Sequence, residues 1–161
     1  MYWLIDDEIV SAHTKWMHTL CAASATSTAP PEAFFARWED MGTWPQWDEA
    51  VDWTRLDGPF AVGTTGALKP KGGPKVRFVI EVLEPGSEFT AVSPMPGARL
   101  RIRHLVAVED DGRTRVDIEV SVDGPLSRLW GLVLGRSIAA STPVGLARLV
   151  AMAEADTATG R

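Results

Sequence analysis

The chain is short of the residues on which several protein classes depend. It has one cysteine, Cys21, in 161 residues, which excludes an intrachain disulfide or a cysteine-based metal cluster and suits a reducing cytoplasm. Basic residues are outnumbered: 16 Lys and Arg against 21 Asp and Glu leave a net charge of −5. The cations are dispersed, so no nucleic-acid partner is expected. The three histidines lack the i, i+4 spacing of helical metal ligands, and neither a metal nor a cofactor is expected. The Gly-Gly pair at 72–73 leads into no helix and lacks phosphate-loop spacing. No serine sits in a nucleophile elbow. Charge or proline interrupts every apolar run before it reaches the length of a membrane span, and the acids of MYWLIDDEIV are wrong for a signal peptide.

What is present is a long apolar helix signal at the C-terminal end. Asp123-Gly124-Pro125 introduces it, with proline suited to a first helical turn. Trp130, Leu134, Ile138, Ser141, Gly145, Leu149 and Met152 then recur near the α-helical repeat, predicting a helix over 126–155 with a bend at Pro143. Small residues in the middle of this stripe, Ser141 and Gly145, predict unfilled space against a concave partner.

Upstream, 13–26 reads as a first strand. The Pro30-Pro31-Glu32 run then starts a short helix buried through Phe34 and Trp38, and Thr43-Trp44-Pro45-Gln46-Trp47 starts a second. Glycine- and proline-rich turns divide residues 50–123 into six strands, near 50–57, 63–70, 76–84, 88–93, 98–109 and 113–123. Several alternate apolar and polar residues, which predicts an antiparallel sheet covered on one face. A three-residue loop at Asp110-Asp111-Gly112 puts Val106 opposite Val116, His104 opposite Ile118 and Arg103 opposite Glu119. His104 then lies on the dry face. The arginines at 99, 101 and 103 lie on the wet one, where pairing with Asp117 and Glu119 is the ordinary reading.

The fold class is therefore α+β: a curved antiparallel sheet of about seven strands around a long C-terminal helix, with two short helices between strands 1 and 2. Residues 1–12 read as an N-terminal arm, 13–156 as one domain and 157–161 as a tail. The stretches APPEAFFARWEDMGTWPQWDEAV, GPFAVGTTGALKPKGG and GARLRIRHLVAVEDDGRTRVDIEVSVDGPLSRL together resemble the polyketide cyclase/dehydrase family of the START-related helix-grip (SRPBCC) superfamily. That resemblance implies a deep apolar cavity between sheet and helix for lipids, polyketides or other hydrophobic compounds. It supplies no catalytic motif, and fold alone does not give a reaction.

His104 is the leading polar candidate, being the one ionisable group on an aliphatic face. Burial would keep it neutral and able both to donate and to accept a hydrogen bond. The expected ligand-binding set is His104, Trp47, Trp53, Phe78, Ile80, Ile102, Ile118, Trp130, Leu134 and Ser141, although core packing explains the aromatic members equally well. Three functions are consistent with this pattern. The first is a binding protein for a small hydrophobic or aromatic ligand, polyketide- or lipid-like. The second is an aromatase/cyclase or dehydratase in which His104 moves a proton. The third is a protein-interaction module using Trp3 and Ile5 of the arm. A homodimer is left open.

Overall fold

In the computed structural model, residues 16–160 are described; the arm at 1–12 and the expected start of the first strand lie outside them. Seven strands form one antiparallel sheet: β1 (His18–Ser27), β2 (Val51–Leu56), β3 (Thr65–Pro70), β4 (Val76–Glu84), β5 (Glu88–Met95), β6 (Ala98–Val108) and β7 (Thr114–Asp123). Their spatial order is β1-β7-β6-β5-β4-β3-β2. Helix α1 (Pro31–Glu39) and a 3-10 helix (Met41–Gln46) connect β1 to β2 across the end of the sheet, and α2 (Ser127–Thr159) closes the chain. α2 continues unbroken through Pro143 and stops at Gly160, whose φ of 68° is the left-handed conformation of a helix C-cap. The expected tail is therefore helical as far as Thr159.

The β6–β7 register is the one the three-residue loop requires, with Val106 opposite Val116, His104 opposite Ile118 and Arg103 opposite Glu119. The dry faces of β6 and β7 consequently coincide. On the wet face the arginine ladder is fully paired, with the expected Arg103–Glu119 pair present and Asp117 not among the partners. Arg99 meets Asp123 at 3.1 Å, Arg101 meets Glu81, and Arg103 bridges Glu88 and Glu119 at 3.1 and 2.9 Å. Asp117 is taken by Arg115 instead.

α2 lies chiefly along β1, reaching β7 and β6, with α1 beside it. Its two halves are held differently. The C-terminal half buries Gly145, Leu146, Leu149 and Ala153. There Arg37 grips Asp156 through two bonds of 2.6 and 2.7 Å, and Glu154 accepts bonds from the Ser27 hydroxyl and the Thr28 amide. Such bidentate charge-assisted pairs fix geometry as well as adding energy. The N-terminal half is tacked down by the Leu126 amide on the Gly97 carbonyl and by the Trp130 indole on the Pro96 carbonyl at 2.9 Å. Gly131 lets the ring of His18 come close, since a Cβ there would lie 2.6 Å from it.

Gly66 is the tightest point of the sheet. A Cβ on it would run into the Phe78 ring and lie 2.6 Å from the Arg55 carbonyl oxygen, a backbone atom that cannot yield cheaply. Gly66→Ala should therefore lower stability by roughly 2 kcal/mol. Gly135→Ala, with nothing within 4 Å of its Cβ position and a helical backbone, should raise it by about 1 kcal/mol. Urea unfolding midpoints of the two variants test both signs together.

Candidate functional site

Alternation aims Leu100, Ile102, His104 and Val106 of β6 at the helix side. Helical phase aims Trp130, Leu134, Ile138, Ser141, Gly145 and Leu149 of α2 at the sheet. Burial along both series changes midway. His104, Val106, Gly145 and Leu149 are buried, whereas Leu100, Ile102, Trp130, Leu134, Ile138 and Ser141 remain half-buried although they point inward. The Leu126 amide bond to the Gly97 carbonyl ties the start of α2 to the end of the sheet from which Leu100 and Ile102 project. The interior thus has a sealed end, and toward the start of α2 its apolar residues remain partly exposed.

The sealed end is aromatic. His104 stacks on Phe89 at 4.7 Å with planes 17° apart, and lies 5.2 Å from Trp38 and 6.0 Å from Trp44. Trp44 also packs on Trp47 at 5.4 Å and donates its indole N–H to the Trp38 carbonyl. His104 Nδ1 is 3.2 Å from the Phe89 carbonyl oxygen. A carbonyl only accepts, so the neutral ring carries its proton on Nδ1 and keeps Nε2 as an acceptor. Desolvation pushes its pKa down to about 4, against the opposing pull of the Phe89 carbonyl. Neutrality at pH 7 is as expected, but the ring belongs to a packed cage. Among the described residues, Trp38 Nε1 and Trp47 Nε1 have no hydrogen-bond partner, and each such orphan costs about 1–3 kcal/mol.

The other expected residues divide in three. Trp47, Phe78, Ile80 and Ile118 are buried in the cluster, and Ile102 packs against it with one side still open. Trp130, Leu134 and Ser141 sit half-buried on the inward face of α2. Trp53 is not brought to them: it is 39% exposed on edge strand β2, opposite Lys69, while its neighbour Thr54 points inward. The expectation that Gly145 marks empty space is corrected, because its Cβ position is 3.5 Å from the Trp47 carbonyl oxygen; the 47–48 segment fills that gap. Sequence reasoning missed Trp38, Trp44 and Phe89 as the walls around His104, and Leu100 as a partly exposed residue of the inward face. Leu100 was recoverable, since it shares the parity of Ile102.

Two surface clefts are present, and neither is lined by residues of α2. One of about 610 Å³ is lined by Ser24, Thr26, Glu109, Asp110, Asp111 and Arg115. Another of about 430 Å³ lies between the start of the 3-10 helix and β2. Among the described residues no cluster of His, Cys, Asp or Glu could hold a metal ion.

A sheet gripping one long C-terminal helix, with short helices closing its end, defines the helix-grip class. The profile of the family described as polyketide cyclase / dehydrase and lipid transport matches residues 19–154, and the chain belongs to that family. Solved structures agree on the fold. The di-domain ARO/CYC StfQ of the steffimycin biosynthetic pathway superposes with a TM-score of 0.71 at 13% identity, over 94% of this chain and 55% of that one. This chain therefore spans about half of that di-domain protein. Ara h 8.0201 gives 0.60 at 15% identity, over 84% and 97%. A Thermus thermophilus protein gives 0.63 at 17% identity, over 83% and 96%. No curated protein matches the chain in sequence.

The histidine cage makes a signed prediction about pH. The folded state resists protonating His104 down to about pH 4, whereas the unfolded chain takes up the proton near 6.5. Its contribution is therefore complete above pH 6.5 and is lost as pH falls from there toward 4, by on the order of 3 kcal/mol. Urea unfolding from pH 7 to 4 should show this decline in the wild type and a shallower one in His104→Phe. Parallel profiles would contradict the buried neutral imidazole.

Proposed function

We propose that the protein binds a small hydrophobic molecule in a trough between the N-terminal half of α2 and the Leu100–Ile102 end of the sheet. The observation that carries this reading is the half-exposure of apolar side chains on faces that both the strand and the helix period turn inward. Leaving such surface wet forgoes about 25 cal/mol per Å², which a guest of the right shape would recover. Membership of a family whose description includes lipid transport supports a ligand of this kind. Trp130, Leu134 and Ile138 form the roof and Leu100 and Ile102 the floor. His104 lies one layer deeper, as part of the wall on which the guest ends.

The cyclase reading uses the same trough, and a resemblance in fold to an aromatase/cyclase supports it. The geometry favours binding over proton transfer. A base whose pKa sits near 4 and whose ring is enclosed by Trp38, Trp44 and Phe89 is a weak proton acceptor at neutral pH.

Nile red titration and its displacement by a panel of fatty acids and aromatic ketones test the reading. The wild type should bind, and Ile102→Glu should weaken binding by tenfold or more, because a carboxylate in an apolar site costs at least ~1.4 kcal/mol. His104→Phe should stay within about threefold of the wild type, as only a wall residue changes. Loss of turnover of a polyketide-type substrate in His104→Phe, with binding intact, would instead establish the cyclase reading.

A further inference from the structure

The exposed side of α2 is as apolar as its buried side. Leu129, Leu132, Val133, Arg136, Ala140 and Val144 fall within an arc of about 120° on the helix, and all of them face solvent. Leu132 is 85% exposed and Val133 60%. A solvated helix face normally carries charges of both signs. Here the stretch 124–153 contains three arginines and no acid, within a chain of net charge −5. Arg148 pairs with Glu49, while Arg128 and Arg136 make no ion pair among the described residues.

We propose that this face docks on an anionic lipid bilayer, with α2 lying in the plane of the interface. An apolar stripe about 23 Å long, counted at ~1.5 Å per residue from Leu129 to Val144, can sink to the headgroup–acyl boundary while Arg128 and Arg136 reach up to lipid phosphates. The charge asymmetry sets the orientation, since the acidic remainder of the molecule is repelled from the same surface. A second copy of the chain is a poorer occupant: two-fold pairing of the face would bring Arg136 against its own counterpart with no acid between them. α2 is long and apolar enough to cross a membrane by length and composition. Its C-terminal half is committed to the sheet and α1, so the contact is peripheral. This inference is independent of what the trough holds.

Co-sedimentation of the full chain with vesicles tests it, comparing phosphatidylcholine alone with a mixture containing about one-third phosphatidylglycerol. Binding to the anionic vesicles should be tighter by roughly tenfold or more at low salt and should weaken as salt is added. Val133→Glu should abolish it, and Arg136→Glu should reduce it by about tenfold, with circular dichroism of both variants unchanged. Equal binding to both vesicles, no binding to either, or undiminished binding by Val133→Glu would overturn the proposal. So would a dimer that Val133→Glu dissociates without any vesicle binding, or vesicle binding seen only after removal of residues 1–12.

Discussion

A seven-stranded sheet with one apolar face must be covered, and among the described residues there is a single long helix with which to do it. Every other feature depends on how incompletely that helix succeeds. Where α2 comes nearest, Leu146, Leu149 and Ala153 seal against the sheet and α1, and the Arg37–Asp156 pair fixes the distance. Toward its start the helix is held mainly by backbone and indole bonds to the Pro96–Gly97 turn. The apolar residues between those two anchorages are left partly wet.

The aromatic cage fills the sealed end. Trp38 comes from α1, Trp44 from the 3-10 helix, Phe89 from β5 and His104 from β6. Two pairs of consecutive elements, one pair distant from the other in the chain, therefore meet around one imidazole. A histidine suits the position because its Nδ1–H satisfies the Phe89 carbonyl while its ring stacks like an aromatic. The same enclosure that makes it a good keystone keeps it neutral and makes it a poor base. Structure and chemistry point in one direction here.

Much of this is legible in the sequence, for identifiable reasons. Period-two alternation and a glycine in the turn are enough to place His104 opposite Ile118, and a period near 3.6 is enough to identify the inward face of α2. Trp53 cannot be placed that way because β2 carries an irregularity between Val51 and Trp53, which reverses the parity that alternation would extrapolate. Gly145 is ambiguous in sequence because a small residue signals either a void or a close backbone approach, and only coordinates distinguish them. The walls around His104 are invisible for another reason: no local pattern says that Trp38 and Trp44, in short helices, will pack against strand β6.

The central claim is that the interior is closed at the histidine end and open to a guest at the other. Isotope-filtered NOE spectroscopy on the methyl-labelled protein with unlabelled Nile red measures this directly. The account predicts cross-peaks from the dye to the methyls of Leu100, Ile102, Leu134 and Ile138, and none to Val116 or Leu149. Cross-peaks confined to Leu132 and Val133 on the outer face of α2, or none to any methyl, would contradict it.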